Sequence, residues 1–239
     1  MAVPVPVILD TDIGPDCDDA GALAVLHALA DGGEADIVGV MHCTSSPWGA
    51  GCIDAINAYC GRPHLPVGTL REPGFLESHP NSVYNEYIAS RFPNRYREAV
   101  APEASELYRE LLAGAADGSV VLIAIGPLAN VHRLLLSPPD RWSEHDGREL
   151  ARRKVKELVV MGGQYPAGRE WNFEMHPASA QAVAAKWPTP IVFSGYEIGA
   201  DVRTGSRLGS TPAGNPVRVA YERFLRGEPT RPSWDLTAV

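Results

Sequence analysis

The chain has 239 residues, 45% of them hydrophobic and 21% charged, the profile of an ordinary globular protein. A formal net charge of −8 argues against a broad nucleic-acid surface, and no apolar run reaches the length that spans a membrane. The first residues lack a basic-then-apolar signal pattern, so a cytoplasmic protein with reduced thiols is expected; Cys17, Cys43, Cys52 and Cys60 show no CxxC spacing that would suggest zinc.

In chain order, the apolar run Val5-Pro6-Val7-Ile8-Leu9 predicts a buried strand and Ala20 to Leu29 a helix. A second strand is expected over Ala35–Met41 and a helix over Ala50–Cys60, followed by a short strand at Pro66–Gly68. Residues 70–103, rich in Pro, Asn, Arg and aromatics, predict a long active-site loop with one helix near Val83–Arg91. A helix over Ala104–Ala116, a strand over Val120–Ala124 and a helix over Leu128–Leu135 come next. Pro138–Arg153 is polar and reads as a surface excursion. Val155–Met161 then predicts a strand, Ala178–Lys186 a helix and Ile191–Ser194 a last strand. This βα alternation predicts an α/β fold, with a three-layer, mainly parallel open sheet covered by helices on both faces. No repeat or linker divides residues 1–239, so one domain is expected.

The chemistry concentrates where the first strand meets the first helix. Asp10, Asp12, Asp16, Asp18 and Asp19 fall within ten residues. Carboxyl ends of strands in open α/β sheets are where ligands bind. Helix capping explains one or two of these acids, since carboxylates suit a helix N-terminus. Five crowded carboxylates repel one another and call for a cation, and oxygen ligands favour calcium or magnesium. Cys17, set among acids, reads as packing, because a reactive thiolate needs a cationic setting.

Three further constellations follow strands or lie near the end. Gly126-Pro127-Leu128-Ala129-Asn130 is a βα turn. In the loop after Met161, Glu170 and Asn172 stand two apart, which in an extended segment points both to one side, where they could meet sugar hydroxyls. Trp234 and Asp235 close the series. His79 lies in the long loop with Tyr84 and Tyr87, either as a surface histidine or within reach of a bound base.

The block Asp10-Thr11-Asp12-Ile13-Gly14-Pro15-Asp16-Cys17-Asp18-Asp19 resembles the N-terminal signature of the nucleoside hydrolases, in the branch whose motif ends Asp-x-Asp-Asp. Gly126 to Asn130, Gly162-Gly163 with Glu170-Trp171-Asn172 and Pro177-Ala178, and Asp235 follow in that family's order, with Trp234 in its histidine position and His176 replacing an Asp. The resemblance implies calcium-dependent cleavage of the N-glycosidic bond of a ribonucleoside or related riboside. It implies calcium on Asp12, Asp19, the Ala129 carbonyl and Asp235, with Asp12 as general base. Asp18, Glu170 and Asn172 would hold the sugar, and Trp234 and His79 would lie near the base. The partner would be a small-molecule nucleoside, with neither nucleic acid nor membrane, and the chain a homodimer or homotetramer. Asp16 has no assigned role. Family members usually continue beyond the position of Asp235, so a short C-terminus is expected to hold that residue weakly. Two rivals stand beside this reading. One is an aspartate-nucleophile phosphatase of the haloacid dehalogenase type, built on Asp10 and Asp12. The other is a non-catalytic ribose-binding or nucleoside-binding protein of the same fold.

Overall fold

A computed structural model describes residues 3–80 and 82–239; Met1, Ala2 and Asn81, the last inside the 70–103 loop, lie outside them. Six strands build one sheet: β1 (Val5–Thr11), β2 (Ala35–His42), β3 (Val67–Thr69), β4 (Val120–Ala124), β5 (Val155–Met161) and β6 (Ile191–Ser194). Their spatial order is β3-β2-β1-β4-β5-β6, and every pairing is parallel. Chain order therefore reverses between β1 and β4, and the crevice above that point is the natural ligand site of an open α/β sheet.

Side-chain alternation along the strands explains the three layers. Val7 and Leu9 enter one apolar cluster and Ile8 the other. The first cluster takes α1 (Asp18–Asp31), α2 (Gly49–Tyr59) and α3 (Val83–Arg91). The second takes α4 (Ala104–Gly114), α5 (Ala129–Leu136) and α6 (Gly147–Lys154) through Tyr108, Leu112, Leu134 and Leu150. Leu9, Leu23 and Leu112 are fully buried, and each such side chain contributes roughly 1.5–3 kcal/mol by leaving water.

The expected β4, β5, β6 and α3 coincide with the observed elements. Strand β1 runs two residues further than expected, so Asp10 lies within the sheet and Asp12 just beyond it. The surface excursion at 138–153 is corrected, because it contains α6. That helix is polar except for buried Leu150 and Ala151, and Asp146 caps it by accepting from the Glu149 amide at 2.8 Å. Four further helices and a two-stranded sheet follow among the described residues: α7 (Trp171–Met175), α8 (Pro177–Lys186), α9 (Tyr196–Gly199), α10 (Pro216–Leu225), and β7 (Arg203–Thr204) paired antiparallel with β8 (Arg231–Pro232) across α10. Helix α10 begins at an Asn215 cap with Pro216 in its first turn, and it turns Val217, Ala220 and Tyr221 into the first core cluster.

No helix among the described residues is long and apolar enough to cross a membrane.

Candidate active site

The strand ends at the reversal point open into a cavity of about 320 Å³, lined by Asp12 after β1, Ile125 after β4 and Met161 at the end of β5. Its floor is acidic. Asp18 and Asp19 are the first residues of α1, so the helix start aims both carboxylates at the strand ends. Oxygens of Asp18, Asp19 and Asp235 lie within 4.8 Å of one another, and all three residues are buried. Burial pushes their carboxyls well above the usual range, and neighbouring charges push the same way: Asp16 on all three, with Asp12 and Asp18 acting also on Asp19 and Asp235. Thr11, which the sequence did not single out, hydrogen-bonds Asp19 from within β1.

Asp12 is buried beside this group. Desolvation raises its carboxyl to about 7, despite a hydrogen bond with Asp19, and the charges of Asp16 and Glu170 add to the rise. A carboxylate poised there suits proton transfer near neutral pH. Gly126 makes its position possible: a Cβ on Gly126 would meet the Asp12 amide nitrogen and Oδ1 at 2.9 Å each.

Asp10 serves a different end. It is 1% exposed and accepts from the Tyr108 hydroxyl at 2.7 Å and from Asn130 Nδ2 at 3.1 Å. Asn130 also donates to the His42 carbonyl at 3.1 Å, so this network ties β1, β2, α4 and α5 together behind the site. Asp10 does not line the cavity, which removes the nucleophile that a phosphatase of the aspartate type would need.

Glu170 and Asn172 both line the cavity, but not from an extended segment as expected. Glu170 is the cap of α7. Its Oε1 accepts from the Asn172 amide at 2.8 Å, and its Oε2 accepts from the Gly163 and Phe173 amides at 3.0 and 3.1 Å. Asn172 Nδ2 donates to the carbonyls of Ile125 at 3.2 Å and Met161 at 3.1 Å, clamping α7 over the ends of β4 and β5. His176 opens α8 by accepting from the Ser179 amide at 3.3 Å, a part in helix initiation.

The expectation of a weakly held Asp235 is corrected: the residue is 5% exposed and its amide donates to Asp18 Oδ2 at 3.2 Å. The backbone of Trp234 packs so tightly on α9 that a Cβ at Gly199 would lie 2.3 Å from the Trp234 Cα. Ser233, fully buried, bonds Thr204 at 2.7 Å and the Gly199 carbonyl at 3.1 Å. Tertiary contacts thus anchor Asp235.

The rim is aromatic and partly cationic. Trp234 donates its indole N–H to the Tyr196 carbonyl at 2.9 Å and stacks on the Tyr196 ring at 5.3 Å. Arg231 lies over the Trp234 ring at 5.0 Å and bonds the carboxylate of Asp16. His79 packs edge-on to Trp171 at 5.2 Å, and both line the cavity. Ala129, at the start of α5, is buried and is not among the lining residues. Of the expected site residues, the structure therefore brings Asp12, Asp18, Asp19, Asp235, Glu170, Asn172, Trp234 and His79 to one cavity, whose lining does not include Ala129. Arg231, Tyr196 and Phe224 join them without having been foreseen.

Comparison with known proteins agrees with this fold. Among solved structures, the type III effector XopQ, determined with adenosine diphosphate ribose, superposes with a TM-score of 0.73 at 17% identity, over 95% of this chain and 66% of its own. The plant nucleoside hydrolase PpNRh1 gives 0.66 at 17% identity, over 98% and 77%. A purine-preferring ribonucleoside hydrolase from Gardnerella vaginalis gives 0.68 at 19% identity, over 98% and 78%. At these identities the likeness establishes the fold, and this chain spans slightly less than two thirds of XopQ. The curated proteins give no significant match. Residues 7–226 match the sequence family described as inosine-uridine preferring nucleoside hydrolase, a span that holds the cavity-lining residues from Asp12 to Phe224 and stops before Arg231, Trp234 and Asp235. The chain belongs to the inosine-uridine preferring nucleoside hydrolase family.

Proposed function

We propose that the chain hydrolyses the N-glycosidic bond of a ribonucleoside or related N-riboside with calcium as its cofactor, acting as a single domain, in the cytoplasm, as a homo-oligomer. The observation that carries the reading is the meeting of Asp18, Asp19 and Asp235 in the cavity that also holds Asp12. Three buried carboxylates at this spacing suit a hard divalent cation, which prefers oxygen ligands. Asp18, Asp19 and Asp235, joined by Asp12 and the Ala129 carbonyl, would hold it. A cation there would engage the vicinal hydroxyls of ribose and make an attacking water more acidic.

The chain's own groups supply the rest. Asp12 accepts the water's proton as the C–N bond breaks with oxocarbenium character. The acidic floor stabilises the positive charge that develops on the sugar. Glu170 and Asn172, fixed by their backbone bonds, present a rigid wall to the far side of the ribose. The test is a panel of ribonucleosides incubated with calcium or with chelator and read by release of free base. Base release with calcium alone supports the reading, and saturable riboside binding without release in either condition makes the chain a binding protein instead.

Two expected outcomes follow from the site. Calcium should raise the melting temperature more at pH 8 than at pH 5.5. Asp10 and Asp12 are both raised by burial to about 7. Folded-state values above the unfolded ones mean that the metal-free protein loses stability as pH rises through about 7, while protons compete with the cation below it. An equal calcium gain at both pH values would exclude this linkage. Gly126→Ala should lower kcat by about tenfold or more with calcium affinity less affected, because its methyl group would displace Asp12 and small misplacements of reacting groups are costly. Kinetics and calcium calorimetry on the same variant check it, and wild-type kcat would show that Asp12 tolerates the shift.

A further inference from the structure

We propose that Asp16 is a positioning residue that holds the Arg231 guanidinium away from Asp18, Asp19 and Asp235, leaving these acids open to a divalent cation. The inference rests on the cation reading above.

Arg231 enters the acidic turn from β8, 215 residues along the chain from Asp16. Its Nε donates to both oxygens of Asp16, at 3.1 and 3.0 Å, and Nη2 bonds Oδ2 as well. This is a planar, multiply bonded pair, the geometry in which arginine is most firmly directed. The guanidinium plane is held from the sides by Phe224 at 5.3 Å and Trp234 at 5.0 Å. The residue is half-buried, so its charge is poorly screened. Asp18 attracts it too: burial opposes the Arg231 charge, but the bond to Asp16 and the charges of Asp16 and Asp18 outweigh burial and raise its pKa.

That second attraction is the hazard. Arg231 is four residues from Asp235, on the segment that delivers this acid to the cluster, and it borders the same cavity. An arginine that bonded Asp18 would neutralise the acids with a side chain and exclude the ion. Asp16 gives the guanidinium a better-placed partner at the rim. The extra acid of the longer signature then has a physical purpose: it is the counter-ion of a cation that the C-terminal segment carries into the site.

The test uses full-length protein stripped with chelator and titrated with calcium chloride in a calorimeter, with melting temperatures recorded in chelator. Asp16→Asn, Arg231→Met and the double variant are compared with wild type. Asp16→Asn should weaken calcium binding by about tenfold or more, the effect of one uncompensated charge a few ångströms away. Arg231→Met should bind calcium at least as well as wild type, and the double variant, which removes a charge of each sign, should return to about wild-type affinity. Recovery in the double variant, whatever its melting temperature, is the signature of sequestration. A double variant as weak as Asp16→Asn would make Asp16 a direct ligand and overturn the proposal. Equal weakening by Arg231→Met alone would make the pair a structural tether and overturn it too. Wild-type affinity in Asp16→Asn overturns it outright. Absence of calcium binding in the wild-type protein overturns the cation reading itself, and with it the part given to Asp16.

Discussion

Replacing Asp12 by asparagine is expected to cut kcat by about 10²–10⁴-fold without unfolding the protein. The amide keeps the volume and still fits against Gly126, whose missing side chain leaves room for that residue and for the Cys43 sulfur. It cannot take a proton. It also removes one negative charge from a crowded group, so metal-free folding is not penalised by repulsion. The prediction is checked by single-turnover base release at saturating substrate, with the melting temperature as a control. Turnover within a few-fold of wild type would take Asp12 out of the proton transfer.

The second large effect concerns the leaving group. Trp234 occupies the position that the family resemblance matches to a histidine, and its one polar hydrogen is committed to the Tyr196 carbonyl. An indole N–H does not ionise near neutral pH in any case. His79 lies across the mouth against Trp171, and burial lowers its pKa, which keeps the ring neutral at pH 7. Without a strong acid the rate should follow the leaving ability of the base. A nitrophenyl riboside is therefore expected to show kcat/KM at least about 10² greater than inosine, since general-acid catalysis typically contributes 10²–10⁴-fold. Comparable values for the two substrates would reveal an efficient proton donor, and a further loss for inosine in His79→Ala would locate it.

The core of the fold could be read from sequence because its signals are local. Val120–Ala124 is a short apolar run between Gly118 and Gly126, and Leu158–Met161 is another that ends at Gly162; a buried parallel strand has little other way to look. Helix α6 was missed because its single buried stripe, Leu150 and Ala151, is submerged in charge; Asp146 followed three residues later by Glu149 was the available capping signal. Helix α10 carries its own local signals, an Asn-Pro start and a 3–4 spacing of apolar residues. At the site, acids next to each other in sequence announced themselves. Their relation to Asp235 was legible only through family resemblance, and the Asp16–Arg231 pair was not legible at all, because nothing local links residues so far apart. Glu170 and Asn172 were identified as site residues from an assumed extended geometry, whereas helix capping is what places them.

The bond from the Asp235 amide to Asp18 joins residues 217 apart, so a cation held between their carboxylates would act as a reversible cross-link. The loop it closes is nearly the whole chain. Closing so long a loop by a covalent bridge would remove about 5 kcal/mol of unfolded-state entropy in the simplest chain model. A metal clip works by the same restriction, through bonds that a chelator can undo. Chelation of this protein would then resemble reduction of a long-range disulfide: the two chain ends are released together, and the first region to loosen is the seam where residues 231–239 lie against α1.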